Sequence, residues 1–357
     1  MAVCYGVSQN AVSCMCTAFG NTDCSAFLAK GGLTLPCLCG IPIQSETTCP
    51  GLWYDKCSQQ LRLALSTGQT GWSAGGAMIS AINQGNGGGT QNAAYHYGGT
   101  LGTGNPAVTC TEEYNGSSWA TGGALPAVRR LLFRGCVGTQ NAGIAIFGFN
   151  APANQSTTYE YNGTSWSTGG AGGCTIRNGA AFGTQNSAAA ATGFTSVDVA
   201  GTQEYNGTSW SGGGNVITAR QSVNGAGQSQ NQGWITGGNA GGTIVTCTET
   251  YNGTSWSTSG ALPTAQQIGG STGRQAYGFF AGGRNPTGPA GTVIGCTLLY
   301  DGYLWTSTCD LITAVACNAA GGDGESGIVF SGQNPAGTVV ACTQEWNNPW
   351  AYYQVGT

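Results

Sequence analysis

The hexapeptide YNGTSW occupies residues 161–166 and returns at 205–210 and 251–256, as YNGSSW at 114–119 and as YDGYLW at 300–305. A worn copy, WNNPW, follows at 346–350, and TGWSAGG places Trp72 in the same register. The tryptophans fall at 72, 119, 166, 210, 256, 305 and 350, so the spacing stays between 44 and 49 residues. Asn-Gly between a Thr/Glu/Tyr-rich run and a Trp-containing run is a strong hairpin signal, because a type I′ turn needs positive φ at both central residues. A two-residue turn at Asn115-Gly116 sets Tyr114 opposite Ser117 and Trp119 opposite Glu112, with Tyr and Trp on one face.

A second motif alternates with the first. It reads GTQNAAYHYGG (89–99), GTQNAGIAIFGF (138–149), GTQNSAAAATGF (183–194), QSQNQGWITGG (228–238), RQAYGFFAGG (274–283) and ESGIVFSGQ (325–333). Two hairpins in each repeat of about 46 residues make four antiparallel strands, the content of one propeller blade. Six such strands predict six blades. The surplus Trp72 strand is expected to close the ring by pairing with the last blade near Trp350, a seventh blade built partly from residues 50–75 being the alternative.

The double glycine ending a strand, followed by Tyr and then Trp, resembles the kelch repeat over residues 72–355, and the YNGTSW form is similar to kelch-like repeats of phage virion proteins. The resemblance implies an all-β, six-bladed kelch-like β-propeller of four-stranded antiparallel blades. It also implies a virion setting. The expected organisation is a Cys-rich docking module at 1–60, a closing strand or linker at 61–76 and the propeller at 77–357.

Composition restricts the functions open to such a chain. Only 24 of 357 residues are charged, 10 Lys or Arg and 14 Asp or Glu, with a net charge of -4. Two lysines, Lys30 and Lys56, and eight arginines cannot build a basic groove for nucleic acid or a polybasic membrane face. With 64 Gly and 11 Pro the chain is turn-rich, yet 10 Trp, 14 Tyr and 10 Phe argue for order. No segment reaches the length of an apolar membrane span, and residues 1–14, MAVCYGVSQNAVSC, show no secretory signal pattern.

Eight of the 16 cysteines lie in the first 57 residues (Cys4, Cys14, Cys16, Cys24, Cys37, Cys39, Cys49, Cys57) and eight in the propeller (Cys110, Cys136, Cys174, Cys247, Cys296, Cys309, Cys317, Cys342). Even counts fit disulfide frameworks, and zinc is the competing reading for the N-terminal set, although its C-x-C pairs lack the usual C-x-x-C spacing. Cys110, Cys247, Cys296 and Cys342 each precede the repeat Tyr or Trp346 by four residues. Thr157 and Gly201 fill that slot elsewhere, which reads as a packing position.

No catalytic residues, metal or cofactor are expected. The single histidine, His96, cannot build a His-dependent triad or the Tyr/His copper site of kelch-like oxidases. The Asn-Gly-Ser/Thr sequons at Asn115, Asn162, Asn206 and Asn252 follow from turn chemistry. Glu113, Glu160, Glu204 and Glu345 read as solvated edge charges. Arg129 and Arg130, Arg177 and Arg220 stand 10 or 11 residues after a repeat Trp; the kelch resemblance implies that this is the start of the innermost strand, so Arg129, Arg177 and Arg220 are expected to converge at one mouth of the central channel, where guanidiniums bind carboxylate or sulfate groups. The connections after the glycines vary between repeats, and recognition usually resides in such loops. They add Asn105, Asn150, Asp198, Arg284 and Asn334 as candidate ligand contacts.

The function expected from these readings is a non-enzymatic bacteriophage virion appendage or decoration protein, present in multiple copies on the particle. Its N-terminal module would dock on other virion proteins, and its propeller face would bind host surface glycan or a neighbouring virion protein. A secreted or surface lectin-like propeller of cellular origin is the alternative.

Overall fold

A computed structural model describes residues 71–102, 106–286 and 291–347 in full, and the backbone alone of strands Cys37–Leu38, Gly51–Asp55, Gln60–Ser66 and Trp350–Gln354. The chain forms two compact units, one of Met1–Thr70 with Pro349–Thr357 and the other of Gly71–Asn348. Among the described residues of the first, Cys37–Leu38 runs parallel to Gly51–Asp55, and Gln60–Ser66 pairs antiparallel with both Gly51–Asp55 and Trp350–Gln354. Its cysteine side chains lie outside the described residues, so the N-terminal disulfide candidates do as well.

The second unit is a six-bladed β-propeller of four-stranded antiparallel sheets. Blade 1 comprises Asn86–Thr90, Ala93–Tyr97, Thr111–Tyr114 and Trp119–Thr121. The innermost strands of blades 2 to 6 are Gly138–Thr139, Ala180–Thr184, Asn224–Ser229, Gly270–Arg274 and Ala319–Gly322. Blade 6 takes its outer strand from the front of the unit: Gly71–Ala74 pairs with Thr343–Asn347, and Trp72 lies opposite Trp346. The ring thus closes on the last blade, at the Trp346 strand and four residues short of Trp350.

The YNGTSW hairpin differs in register from the two-residue turn. Tyr114 pairs with Trp119 and Glu113 with Ala120, leaving a four-residue loop, Asn115 to Ser118. The cause is the Asn side chain: Asn115 Oδ1 accepts the N–H groups of Ser117 and Ser118 at 3.0 and 2.9 Å, while Gly116 takes φ +89°. Tyr and Trp still share a face, now directly opposite each other, with ring centroids 5.1 Å apart.

The repeat residues stitch each blade to its neighbour. In all six blades the Trp Nε1–H donates at 2.8–2.9 Å to a Thr hydroxyl of the preceding blade, from Trp72 to Thr297 and Trp119 to Thr343 around to Trp305 and Thr248. The Tyr hydroxyls of 114, 161, 205 and 251 donate to Glu345, Glu113, Glu160 and Glu204 at 2.5–2.6 Å. These carboxylates are inter-blade acceptors, which corrects their reading as solvated edge charges. In blades 1, 2, 3 and 5 the Gln of the TQN-type turn donates to two backbone carbonyls of the preceding blade. Tyr161→Phe removes one such staple and is expected to lower stability by about 1–2 kcal/mol. Chemical denaturation checks this, and an unchanged midpoint would refute the staple.

Strand polarity fixes what each face carries. The TQN and YNG turns share one face; the variable loops and the crossings between blades share the other. The second residue of each double-glycine slot is glycine in every blade, with φ from +92° to +120° at Gly99, Gly148, Gly193, Gly238, Gly283 and Gly332. The first slot has φ of +50° to +70° and accepts Phe147, Thr192 and Ser331.

Where each crossing enters an inner strand, one residue adopts left-handed φ between +51° and +58°: Gln84, Leu131, Asn178, Ser222, Ile268 and Cys317. The N–H of each bonds to the carbonyl of its predecessor at 2.7–3.3 Å, and Gln84 to Cys317 completes a closed six-membered ring around the axis. From this residue to the glycine ending the inner strand the count is five in five blades (84 to 89, for example) but seven in blade 2 (131 to 138). The surplus segment leaves its own blade and bridges in parallel to the inner edge of blade 3, Arg134 to Ala180 and Val137 to Gly183. It plugs the channel so tightly that a Cβ on Gly135 would sit 2.1 Å from Ala181 O and 2.4 Å from Gly225 O.

Candidate functional site

On the loop-bearing face each blade brings two residues side by side around the axial ring: the one preceding the left-handed residue, and the one following the second glycine. Blades 2 and 3 place Arg130 against Phe149 and Arg177 against Phe194 in this way. The guanidinium carbons lie over the rings: Arg130 over Phe149 at 5.2 Å, Arg177 over Phe149 at 5.1 Å and Arg177 over Phe194 at 5.0 Å. The result is an unbroken alternation, Arg130, Phe149, Arg177, Phe194, crossing two blades. All four residues are half-buried.

Asn154 holds the patch in place. Its Oδ1 accepts from Arg177 Nη1 at 2.8 Å, while its Nδ2 donates to Phe194 O and Thr195 O at 3.2 and 3.1 Å. An arginine flanked by two aromatic rings and hydrogen-bonded at one nitrogen is held in place, an arrangement that suits flat or anionic ligands. Across the face, Arg284 donates to Gln333 at 2.6 Å. Asp198 Oδ2 accepts the Gly241 N–H at 2.9 Å and ties the blade 3 loop to that of blade 4.

The arginines expected to converge do not. Arg177 belongs to the patch, but Arg129 and Arg220 are 2 % and 0 % exposed. Arg129 donates to Tyr159 Oη and Val128 O, both at 3.0 Å; Arg220 donates to Gly237 O and Thr218 O at 2.9 Å and forms an ion pair with Glu249. The physical reason is register. Arg129 and Arg220 stand 10 residues after their Trp, Arg130 and Arg177 stand 11, and one residue of offset reverses the direction of the side chain. Of the loop candidates, Asn150 pairs with Ala153 in a small hairpin, Asn334 Oδ1 caps Thr338 N at 2.9 Å, and Asn105 lies outside the described residues. Phe149, Phe194 and Asn154 were not singled out by sequence; the signal for the first two is a Phe directly after the second glycine.

The opposite face has a cavity of about 530 Å³ on the axis, lined by the inner-strand glycines and by Thr90, Thr139, Thr184 and Gln228. Among the described residues its only carboxylate, Asp323, stands 3.8 Å from exposed Arg274. Burial raises the Cys136 thiol on the cavity wall above its ordinary value, so it stays protonated and poorly nucleophilic. The propeller thiols of Cys110, Cys136, Cys174, Cys247, Cys296, Cys317 and Cys342 are free, so the disulfide framework expected there does not form. The repeat deals the four equivalent cysteines to four different blades. Among the described residues no group of three or more His, Cys, Asp or Glu side chains is placed to hold a metal ion.

No known family pattern matches the sequence, and no curated protein matches it either. Among solved structures, that of YjhT superposes with a TM-score of 0.63 at 13 % identity, covering 76 % of this chain and 96 % of YjhT. At that identity the likeness shows the shared fold, a six-bladed β-propeller.

Proposed function

We propose that this protein is a non-enzymatic binding propeller of a bacteriophage virion, whose loop-bearing face takes a host surface glycan at the Arg130–Phe149–Arg177–Phe194 patch. The alternation of two stacked guanidiniums with two phenylalanines carries the reading. Guanidiniums packed over the aromatic rings are held in place there and donate to a carboxylate or sulfate substituent of the glycan. The virion setting is supported by the YNGTSW repeats and by a surface poor in charge, whose contacts vary little with salt.

Replacing both Arg130 and Arg177 by Ala is expected to weaken binding to acidic glycans or host cells by about 10-fold or more, corresponding to loss of about 1.4 kcal/mol or more. Arg129→Ala disturbs folding stability instead. Glycan-array and cell-binding measurements distinguish the two, and full binding by the double variant would reject the patch. Mass spectrometry of purified particles tests the virion setting separately; absence of the chain would reject it and favour a cellular lectin-like propeller.

A further inference from the structure

We infer that the axial plug holds a binding site for one small monovalent anion of halide size, with the Arg134 guanidinium as its cation. Arg134 is 3 % exposed, and its Nε and Nη1 have no hydrogen-bond partner. Its backbone is fixed at both ends, the N–H donating to Gly179 O at 2.9 Å and the carbonyl accepting from Ala181 N at 2.8 Å, so the side chain cannot withdraw to solvent. The blade 2 insertion puts it inside the channel, and it reaches the thiol of Cys317, a member of the axial ring in blade 6.

The electrostatics of this position are unbalanced. Arginine keeps its proton in proteins, and a buried cation without a counter-charge costs several kcal/mol. Three carboxylates of blades 1, 4 and 6 are committed elsewhere. Glu112 accepts the Ile79 and Ser80 N–H groups, Glu249 pairs with Arg220, and Asp323 faces Arg274 at the cavity mouth. None of these three pairs with Arg134. Nε–H and Nη1–H lie on different edges of the guanidinium, so each open donor offers a compact anion one hydrogen bond beside the cationic charge. Ordered water is the rival occupant. Gln84 Oε1 and Asn318 Oδ1, at and beside the ring, also lack partners, and water would satisfy them where an anion would not.

Two measurements on the full chain separate these occupants. Crystals soaked in bromide are expected to show an anomalous peak in hydrogen-bonding contact with Arg134 Nε or Nη1. At constant ionic strength, exchanging strongly hydrated fluoride for bromide is expected to raise the melting temperature by about 3–6 °C, as occupancy of the folded state alone requires. Arg134→Met should abolish that rise, and Arg134→Lys should keep part of it. Absence of the peak, or an equal rise in Arg134→Met, would overturn the site. The bromide soak needs no variant, so it decides the matter even if neither variant folds.

Discussion

Lowering the pH from 6.5 towards 3 is expected to remove roughly 5 kcal/mol of stability from the propeller through a single side chain, His96. His96 lies in strand Ala93–Tyr97 and is fully buried, its ring edge-on to Phe330 at 6.0 Å. Neither ring nitrogen has a hydrogen-bond partner, and a Cβ on Gly85 would come within 2.4 Å of Nε2. Burial therefore lowers its pKa from 6.5 to about 3. Within that interval the unfolded chain holds a proton that the folded chain refuses. The stabilising term is complete above the unfolded value and is lost as pH falls towards the folded one. Glu112, opposite His96 in the register, has a carboxyl raised by burial and works in the other direction just above its ordinary value. Urea titrations of the wild type and His96→Leu between neutral pH and pH 4 isolate the imidazole, because the carboxylates are common to both. The wild-type midpoint should fall more steeply, and parallel curves would show that His96 does not govern the acid limb.

The parts of this molecule that its sequence displays are those set by local chemistry repeated at constant spacing. YNGTSW, with its capping Asn and its Tyr–Trp pair, specifies a hairpin wherever it stands, so blade number and the Trp72 closure follow from counting. The turn register was less legible, since Asn-Gly serves both a two-residue I′ turn and the four-residue loop that Asn115 Oδ1 closes. Blade-to-blade bonds were hidden for another reason. Glu113 and Tyr161 are 48 residues apart, and only the ring geometry makes them neighbours. The site divides in the same way. Arginine recurrence was visible, but sorting Arg130 and Arg177 from Arg129 and Arg220 depends on a single residue of spacing and thus on knowing where each crossing enters its inner strand. The plug was present in the sequence as two extra residues between Leu131 and Gly138. Their destination, an inner edge on the next blade, is a tertiary choice with no local signature.

The same register argument leads to the largest single-site effect outside the histidine. Arg220→Ile is expected to cost about 3–5 kcal/mol, because it strands the Glu249 carboxylate, 1 % exposed, without its cation. The chain contains its own control. The slots of Arg220 and Glu249 are filled by Ile176 and Gln203 in blade 3, by Val315 and Gln344 in blade 6, and by Arg129 and Tyr159 in blade 2. In blades 3 and 6 the neutral amide does the carboxylate's other work, since Gln203 and Gln344 accept crossing N–H groups at 2.6 and 2.9 Å, as Glu249 accepts those of Ile217 and Thr218. The blade fold therefore requires an acceptor there but no charge. Adding Glu249→Gln to Arg220→Ile rebuilds the blade 3 arrangement in blade 4 and should recover most of the loss, giving a coupling energy of about 2–3 kcal/mol in the double-mutant cycle. Equal destabilisation of the single and double variants would instead assign the effect to the bonds from Arg220 to Gly237 O and Thr218 O, making the guanidinium a clamp on backbone carbonyls and its ion pair incidental.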